Sequence, residues 1–327
     1  MPYIIEHTIN PIRHLLEQIP IKPNPELDMI PLSIGDPSVF GNFPAPKEAS
    51  QAVADAVLGE KANGYAPSMG TVESREAIAA YLEQFFHYKP KIGDISLANG
   101  ASGAIEFAIS TLAGAGQNIL VPQPGFPLYE VLAKGQGIKV KYYDLLPDYD
   151  WDVDVQSLEN AIDEDTAAVV FINPSNPCGA VFGRDHMERL VSLCDQYKVR
   201  EVKKMVKNVC QLPIIADEIY AGMIFPGRSF SSFAEVSTRV PTIVCGGLAK
   251  RFLVPGWRLG WTIVHDPANV YRGALSKGIN KLTTRLLGPN SVVQAAIPAI
   301  LEQVPESWHK EQNRKLAHGT STSLLGV

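Results

Sequence analysis

The chain has 327 residues, of which 46% are hydrophobic and 19% charged, and its formal net charge is −5. This composition is typical of a globular protein with a large core, and an acidic balance without a block of lysine and arginine argues against a nucleic-acid surface. The four cysteines, at 178, 194, 210 and 245, follow no zinc-site or disulfide spacing, so we expect reduced thiols, no metal and a cytoplasmic location. We expect neither a signal peptide nor a membrane span, because no apolar run is long enough.

The N-terminal residues are interrupted by prolines at 2, 11, 20, 23, 25 and 31. Proline fixes φ and lacks an amide hydrogen, so this spacing excludes a long helix and predicts an extended arm. Arms of this kind often pack on a partner subunit. We assign residues 1–45 to this arm and to the start of a small domain.

From residue 46 onward, two kinds of apolar pattern alternate. Spacings of three and four residues predict helices, and short continuous apolar runs predict strands that are covered on both faces. The predicted strands are 95–98, 118–121, 138–143, 167–172, 214–216 and 242–245, and the predicted helices are 47–60, 71–87, 101–113, one that ends near 135, 155–162, 184–197, 267–282 and 290–303. This order predicts an α/β fold with a mainly parallel sheet flanked by helices. The large domain is 46–303, and 304–327 forms a tail.

Two predicted strands end in segments that could bind an anion, and ligands of open α/β sheets collect at such strand ends. Asn99–Gly103 joins a strand to a helix, where small residues and free amides favour a phosphate. Ser102 could equally cap that helix. Asn173–Gly179 holds Asn176 between two prolines, which makes it a fixed donor or simply part of a turn.

Two further strand ends carry charge. Asp217 follows a buried strand, where an unpaired acid is costly; it could pair with a cationic ring nitrogen or cap the next segment. Lys250 follows a strand and a glycine pair, where burial would make its amine nucleophilic towards an aldehyde, although alone it could be a surface lysine. Arg258 could bind a phosphate or a structural carboxylate. Together these groups are what pyridoxal 5′-phosphate requires of a protein.

Several longer stretches resemble the class I aminotransferases of the fold-type I pyridoxal-phosphate enzymes. They are residues 32–42, 63–68, 117–122, 173–182, 216–220 and 245–261, and the similarity runs from about residue 10 to about residue 303. The resemblance implies transfer of the amino group of L-tyrosine or a related aromatic amino acid to 2-oxoglutarate, giving 4-hydroxyphenylpyruvate and glutamate. The alternatives are another enzyme of the same cofactor class, such as an alanine-type transaminase or a lyase, and a catalytically inactive dimerisation protein that binds the cofactor.

The resemblance also implies roles around the cofactor ring. Lys250 would form the imine with the cofactor and then move a proton as general acid and base. Asp217 would keep the pyridine nitrogen protonated. Tyr220 and Asn176 would donate to the phenolic oxygen. Phe126 would stack on the ring, although an aromatic residue at this position could also be a core residue.

The remaining implied roles concern the phosphate. The amides of Ala101 and Ser102, the Ser102 hydroxyl and Arg258 would bind it. Tyr65 would reach the phosphate of the neighbouring subunit, so the resemblance implies a homodimer with shared sites.

Two residues are implied to bind substrate. Gly35 would line the pocket for the substrate carboxylate. Arg285 would contact the side-chain carboxylate of glutamate or 2-oxoglutarate from the neighbouring subunit, or it is a solvated helix arginine.

Two features depart from the family pattern. Family members continue past residue 327 into a small C-terminal domain that supplies an arginine for the substrate carboxylate, and residues 318–327 are unlike theirs. Residues 197–211 look like an insertion. We therefore expect that most of the small domain is missing, that the cofactor site can still form, and that turnover is weak or absent because substrate orientation is lost.

Overall fold

The computed structural model describes residues 3–19, 22–27, 35–36, 38, 41, 43–86, 89–197 and 211–325. Its strands are β1 Ile95–Asn99, β2 Asn118–Gln123, β3 Lys139–Leu146, β4 Asp152–Val153, β5 Thr166–Ile172, β6 Ile214–Asp217, β7 Thr242–Gly247 and β8 Leu259–His265. Its α-helices are α1 Tyr3–His7, α2 Pro11–Gln18, α3 Lys47–Leu58, α4 Val72–Phe86, α5 Gly100–Leu112, α6 Leu128–Gly135, α7 Val155–Ala161, α8 Arg184–Gln196, α9 Phe233–Val236, α10 Ala274–Thr283, α11 Ser291–Gln303 and α12 Glu306–Leu325.

The strands form one sheet in the order β1-β8-β7-β6-β5-β2-β3-β4. The five central strands, from β7 to β3 in this order, are parallel to their neighbours, whereas β8 and β4 run antiparallel at the two sides. The prediction of a mainly parallel α/β sheet is therefore confirmed. All six predicted strands are present, but β8 and β4 were missed, since neither is preceded by the helix that marks a parallel crossover.

Both faces of the sheet are covered, which explains the continuous apolar strands. In β5 every residue is buried, and alternate side chains point to opposite faces. Val169 and Phe171 join a core cluster with α3, α4, α8 and α11, whereas Ala168 and Val170 join a second cluster with α5, α6 and α10. The strands that carry the site are thus held between two packed layers.

The predicted helices agree with the structure except near 267–282. The helix there begins only at Ala274. Asn269, Arg272 and Gly273 have φ values of +52°, +50° and +76°, which a right-handed helix cannot include. The start of the predicted helix is therefore a turn.

The N-terminal arm contains two short helices between its prolines. Pro11 is the first residue of α2, where a missing amide hydrogen removes no helical bond. Helix α1 packs on α6. Thr8, which follows α1, lies so close that a Cβ added at Gly135 would be 2.8 Å from its Oγ1. Beyond this contact, apolar side chains of the arm such as Ile5 and Leu15 are 56% and 58% exposed.

The C-terminal tail is helical. Helix α12 covers most of residues 304–327, and His309, which is 5% exposed, packs edge-on against Phe252 with 5.0 Å between ring centroids. The predicted insertion 197–211 lies, apart from its two end residues, outside the described part of the chain. Among the helices described, none has the length and apolarity needed to cross a membrane.

Candidate active site

A cavity of about 180 Å³ lies at one edge of the sheet, where the parallel strands end. Ile172 and Asp217, the last residues of β5 and β6, are paired in register and both line it. Strand β1 points in the same direction as β7, because β8 is antiparallel to both, so the start of α5 reaches the same edge. The cavity wall contains most of the predicted site residues: Ala101, Ser102, Phe126, Asn176, Asp217, Tyr220, Lys250 and Arg258.

Asp217 is the buried acid of the cavity, with 2% of its surface exposed. The Tyr129 hydroxyl donates to its Oδ2 at 2.7 Å, and the Ile219 amide donates to its Oδ1 at 3.2 Å. Burial raises the pKa of Asp217 to about 6, although these hydrogen bonds and the charge of Lys250 act in the opposite direction. The carboxylate is therefore fixed in orientation, and it takes up a proton at a higher pH than an exposed aspartate does.

Tyr129 is a site residue that the sequence analysis missed. It is 1% exposed, and burial together with the Asp217 charge holds the pKa of its hydroxyl well above the usual range, so it remains a donor. Its ring packs edge-on against Phe126 at 5.9 Å between centroids. Phe126 lies in the turn before α6, which begins at Leu128, so no helical spacing in the sequence indicated this contact.

Lys250 presents a half-buried amine to the same cavity. Burial lowers the pKa of its amine, and the charges of Asp36 and Asp217 oppose this shift. Its Nζ lies 5.7 Å from the centroid of the Tyr220 ring, within the range of a cation–π contact. The lowered pKa increases the fraction of neutral, nucleophilic amine.

The start of helix α5 forms an anion cradle. The Asn99 side chain does not cap the helix, so the first amides keep their hydrogens free for a ligand. Ala101 and Ser102 both line the cavity at this point. The long helix behind them, Gly100–Leu112, adds its dipole to the free amides.

Two glycines allow this cradle to form. Gly100 has φ +70°, and a Cβ there would lie 2.6 Å from Nη2 of Arg258. A Cβ at Gly260 in β8 would lie 2.3 Å from the Gly100 carbonyl carbon and 2.5 Å from the Ala101 nitrogen. The Arg258 guanidinium is held beside the helix start by hydrogen bonds to the Asn99 oxygen at 3.3 Å and the Pro255 oxygen at 3.1 Å. Because Gly100 and Gly260 have no side chains, helix α5, strand β8 and the Arg258 guanidinium can lie in direct contact.

The two asparagines of the loop after β5 have different surroundings. Asn173 is fully buried; it accepts from the Phe182 amide at 3.0 Å and donates to the Ser231 oxygen at 3.4 Å. Asn176 is half-buried and lines the cavity. The first asparagine therefore fixes the loop and the second is available to a ligand. Asn176 and Tyr220 also line an adjoining cavity of about 610 Å³.

Three predicted residues do not line the cavity. Tyr65 is 94% exposed. Arg285 is exposed in the turn that follows α10, and Gly35 is exposed as well. The neighbour of Gly35, Asp36, influences the charge of Lys250 and was missed by the sequence analysis. Within this chain, Tyr65 and Arg285 remain apart from the site.

The donor set defines which ligand the cavity suits. A nucleophilic amine suits an aldehyde, a buried carboxylate suits a cationic ring nitrogen, and free helix amides beside a guanidinium suit a phosphate. The close approach of α5 and β8, which any side chain at Gly260 would prevent, indicates a backbone built for such an anion. These features fit pyridoxal 5′-phosphate.

The comparisons with known proteins agree with this geometry. Residues 27–324 match the family described as aminotransferase class I and II. The tyrosine aminotransferases of Mus musculus and Homo sapiens are 43% and 44% identical to the chain over 329 residues, which cover 98% of the chain and 69% of each relative. The crystal structure of tyrosine aminotransferase from Leishmania infantum has a TM-score of 0.87 and 34% identity, covering 98% of this chain and 81% of that one. The family match includes most of the tail 304–327.

Proposed function

We propose that this chain, which belongs to the aminotransferase class I and II family, transfers the amino group of L-tyrosine or a related aromatic amino acid to 2-oxoglutarate, giving 4-hydroxyphenylpyruvate and glutamate. It is a pyridoxal-phosphate-dependent aminotransferase that acts on amino acids and 2-oxo acids. The choice of tyrosine is supported by the relatives named above. The observation that carries the proposal is the meeting of Lys250, Asp217 and the start of α5 at one cavity. A cytoplasmic location stays a prediction.

Lys250 and Asp217 are the proposed catalytic pair. The cofactor, when bound, supplies an electron sink for the α-carbon of the substrate. Asp217, held by Tyr129 and the Ile219 amide, would keep a proton on the ring nitrogen, because an anion beside a cation stabilises the charged form. Lys250 would hold the cofactor and then, as a neutral amine, take and return the proton of the α-carbon. Tyr220 is the third proposed catalytic residue.

The remaining walls would orient the ligand. Tyr220 and Asn176 would donate to the phenolic oxygen of the ring, and Phe126, braced by Tyr129, would cover one ring face. Ala101, Ser102 and Arg258 would bind the phosphate. The adjoining cavity of about 610 Å³ would give a small amino acid room to approach, and Gly35 would face the substrate carboxylate.

We also propose a homodimer with shared sites. Tyr65 is almost fully exposed, and the apolar residues of the arm are exposed too; both are features of surfaces that another subunit covers. Tyr65 would reach the phosphate in the site of the second subunit, and Arg285 would reach the side-chain carboxylate of glutamate or 2-oxoglutarate there. In this arrangement, Tyr65 and Arg285, which do not line the cavity of their own chain, would both contact ligands in the site of the partner.

The test is the absorbance spectrum of the purified chain loaded with pyridoxal 5′-phosphate. We expect a visible band that changes when L-tyrosine is added, together with release of 4-hydroxyphenylpyruvate. Lys250→Ala should abolish the band, whereas Lys277→Ala, on an exposed position of α10, should retain it. A band that persists in Lys250→Ala would refute the role of the lysine. A band that responds to L-alanine but not to L-tyrosine would refute the proposed substrate.

A further inference from the structure

Glu218, the residue after Asp217, is buried with 4% of its surface exposed. Its Oε1 accepts from the Ser232 hydroxyl at 3.0 Å and from the Phe233 amide at 2.8 Å. These two donors belong to the start of helix α9. The carboxyl group thus ties the turn after β6, which carries Asp217 and Tyr220, to a neighbouring helix.

The other oxygen of Glu218 has a different environment. Oε2 is buried without a hydrogen-bond partner among the described residues, and the same holds for Nε of Arg251. Both residues line one small cavity of about 20 Å³, together with Tyr81 and Trp261. A cavity of roughly 10–15 Å³ holds one water, and a buried water needs two to four polar partners. Size and polarity of this cavity match a single water.

Arg251 follows Lys250 directly and is itself fixed by several elements. It is 7% exposed, and its Nη2 donates to Glu306 of α12 at 2.8 Å. Its guanidinium carbon lies 5.1 Å from the centroid of the Phe85 ring. A Cβ at Gly222 would lie 1.5 Å from Nη1, so the turn after Tyr220 packs directly on the guanidinium. The small cavity therefore lies between the two turns that carry the proposed catalytic residues.

We propose that one water occupies this cavity, bridges the Glu218 carboxyl and the Arg251 guanidinium, and so makes Glu218 a positioning residue for the turns that carry Asp217 and Lys250. The water completes a polar path from α9, through Glu218 and Arg251, to Glu306 of α12. Because both turns are anchored to the same path, the carboxyl of Asp217 and the amine of Lys250 keep a constant separation.

The charges around Glu218 indicate where its proton lies. The charges of two acids, Asp217 at the end of β6 and Glu235 of α9, act on Glu218. Tyr81 of α4 and Arg251 line the small cavity. Burial, together with the two acids, raises the pKa of Glu218 to about 8. Oε1 already accepts two hydrogen bonds, so the proton lies on Oε2 and is donated to the water. A neutral Glu218 also leaves Asp217 as the anion of this strand end.

A crystal structure of the holoenzyme at high resolution tests the water directly. We expect density for one water within about 3.2 Å of Glu218 Oε2 and of Arg251 Nε. A dry cavity, or direct contact between the two side chains, would overturn the proposal. This result does not depend on the identity of the substrate or on the proposed roles of Asp217 and Lys250.

Variants of Glu218 test the positioning role, which rests on the proposed function. Glu218→Gln keeps the Oε1 acceptor and a donor at the second position, so we expect kcat within about twofold of the parent enzyme. Glu218→Leu should lower kcat by about tenfold or more with little change in KM, because each 1.4 kcal/mol lost is tenfold in rate. It should also shift the pH midpoint of the cofactor absorbance. Glu302→Gln, at an exposed position of α11, serves as the control.

Two outcomes would count against the positioning role. If Glu218→Leu lowers only the melting temperature and leaves kcat and the absorbance midpoint unchanged, Glu218 is a packing residue and the proposal is wrong. If Glu218→Leu does not fold, Glu218→Gln decides, since a large loss of kcat in a folded Gln variant contradicts a neutral donor at this position. Failure of the parent enzyme to show the cofactor band would instead refute the proposed function.

Discussion

Gly260 provides a sharp test of the anion cradle. In Gly260→Ala the new Cβ would lie 2.3 Å from the Gly100 carbonyl carbon, 2.5 Å from the Ala101 nitrogen and 2.6 Å from the Gly100 oxygen. Ordinary contact begins near 3.4 Å, so the start of α5 must move away from β8 by about 1 Å. All three atoms belong to backbone, so rotation of a side chain cannot relieve the clash. The displaced amides are the ones proposed to bind the phosphate.

The expected magnitude follows from the hydrogen bonds that are disturbed. Overpacking a tight contact costs about 1–3 kcal/mol of stability, and each hydrogen bond to a charged group contributes about 1.5–3 kcal/mol. Weakening two amide contacts to the phosphate should therefore raise the Kd for pyridoxal 5′-phosphate by about 10- to 100-fold, since 1.4 kcal/mol is tenfold. The melting temperature of the protein without cofactor should also fall.

Titration of the protein with pyridoxal 5′-phosphate, followed by absorbance, measures this Kd. Gly256→Ala is the matched control, because Gly256 lies in the same turn that leads to Arg258 and a Cβ there meets nothing within 4 Å. It should change the Kd by less than about twofold. If Gly260→Ala is folded and binds the cofactor as tightly as the parent chain, the start of α5 does not bind the phosphate.

Two further predictions concern the acid of the site and the subunit interface. Tyr129→Phe removes a hydrogen bond that lowers the pKa of Asp217, so that pKa should rise above about 6. The half-maximal pH of cofactor binding should then move upward by about one unit, because 1.36 kcal/mol corresponds to one pKa unit. An unchanged midpoint would contradict this role of Tyr129. If sites are shared, mixing Tyr65→Ala and Lys250→Ala protomers should form hybrid dimers with one intact site and restore activity above that of either variant; no gain after mixing would exclude sharing.

The sequence was most informative where a buried strand ends. A continuous apolar run has to end in a turn, and polar residues placed directly after it reach the same edge of a parallel sheet. This rule located Asp217, Asn176 and Lys250, and the structure brings all three to one cavity. The strand that carries Gly260 was missed, because β8 is antiparallel to β7 and follows it without an intervening α-helix.

Other parts of the site depend on distances between segments that are far apart in the chain. The bond from Tyr129 to Asp217 joins residues 88 positions apart. The approach of Gly260 to Gly100 joins strand β8 to the first residue of helix α5. Because the residues of each contact are far apart in the chain, no local sequence pattern predicts either contact, and only the folded structure shows it. The proposed roles of Tyr65 and Arg285 need a second subunit and stay predictions.

Burial is the main cause of the shifted pKa values of Lys250 and Asp217. Burial lowers the pKa of Lys250 and raises that of Asp217 from 3.8 to about 6. Between pH 3.8 and about 6, Asp217 binds more protons in the folded protein than in the unfolded chain. The free energy of unfolding therefore falls as the pH rises through this range, and it stays lower at higher pH. A cationic ring nitrogen beside Asp217 would lower that pKa again and recover the lost stability, because it gives the buried anion a partner. Cofactor binding should therefore stabilise the fold more at pH 7 than at pH 4.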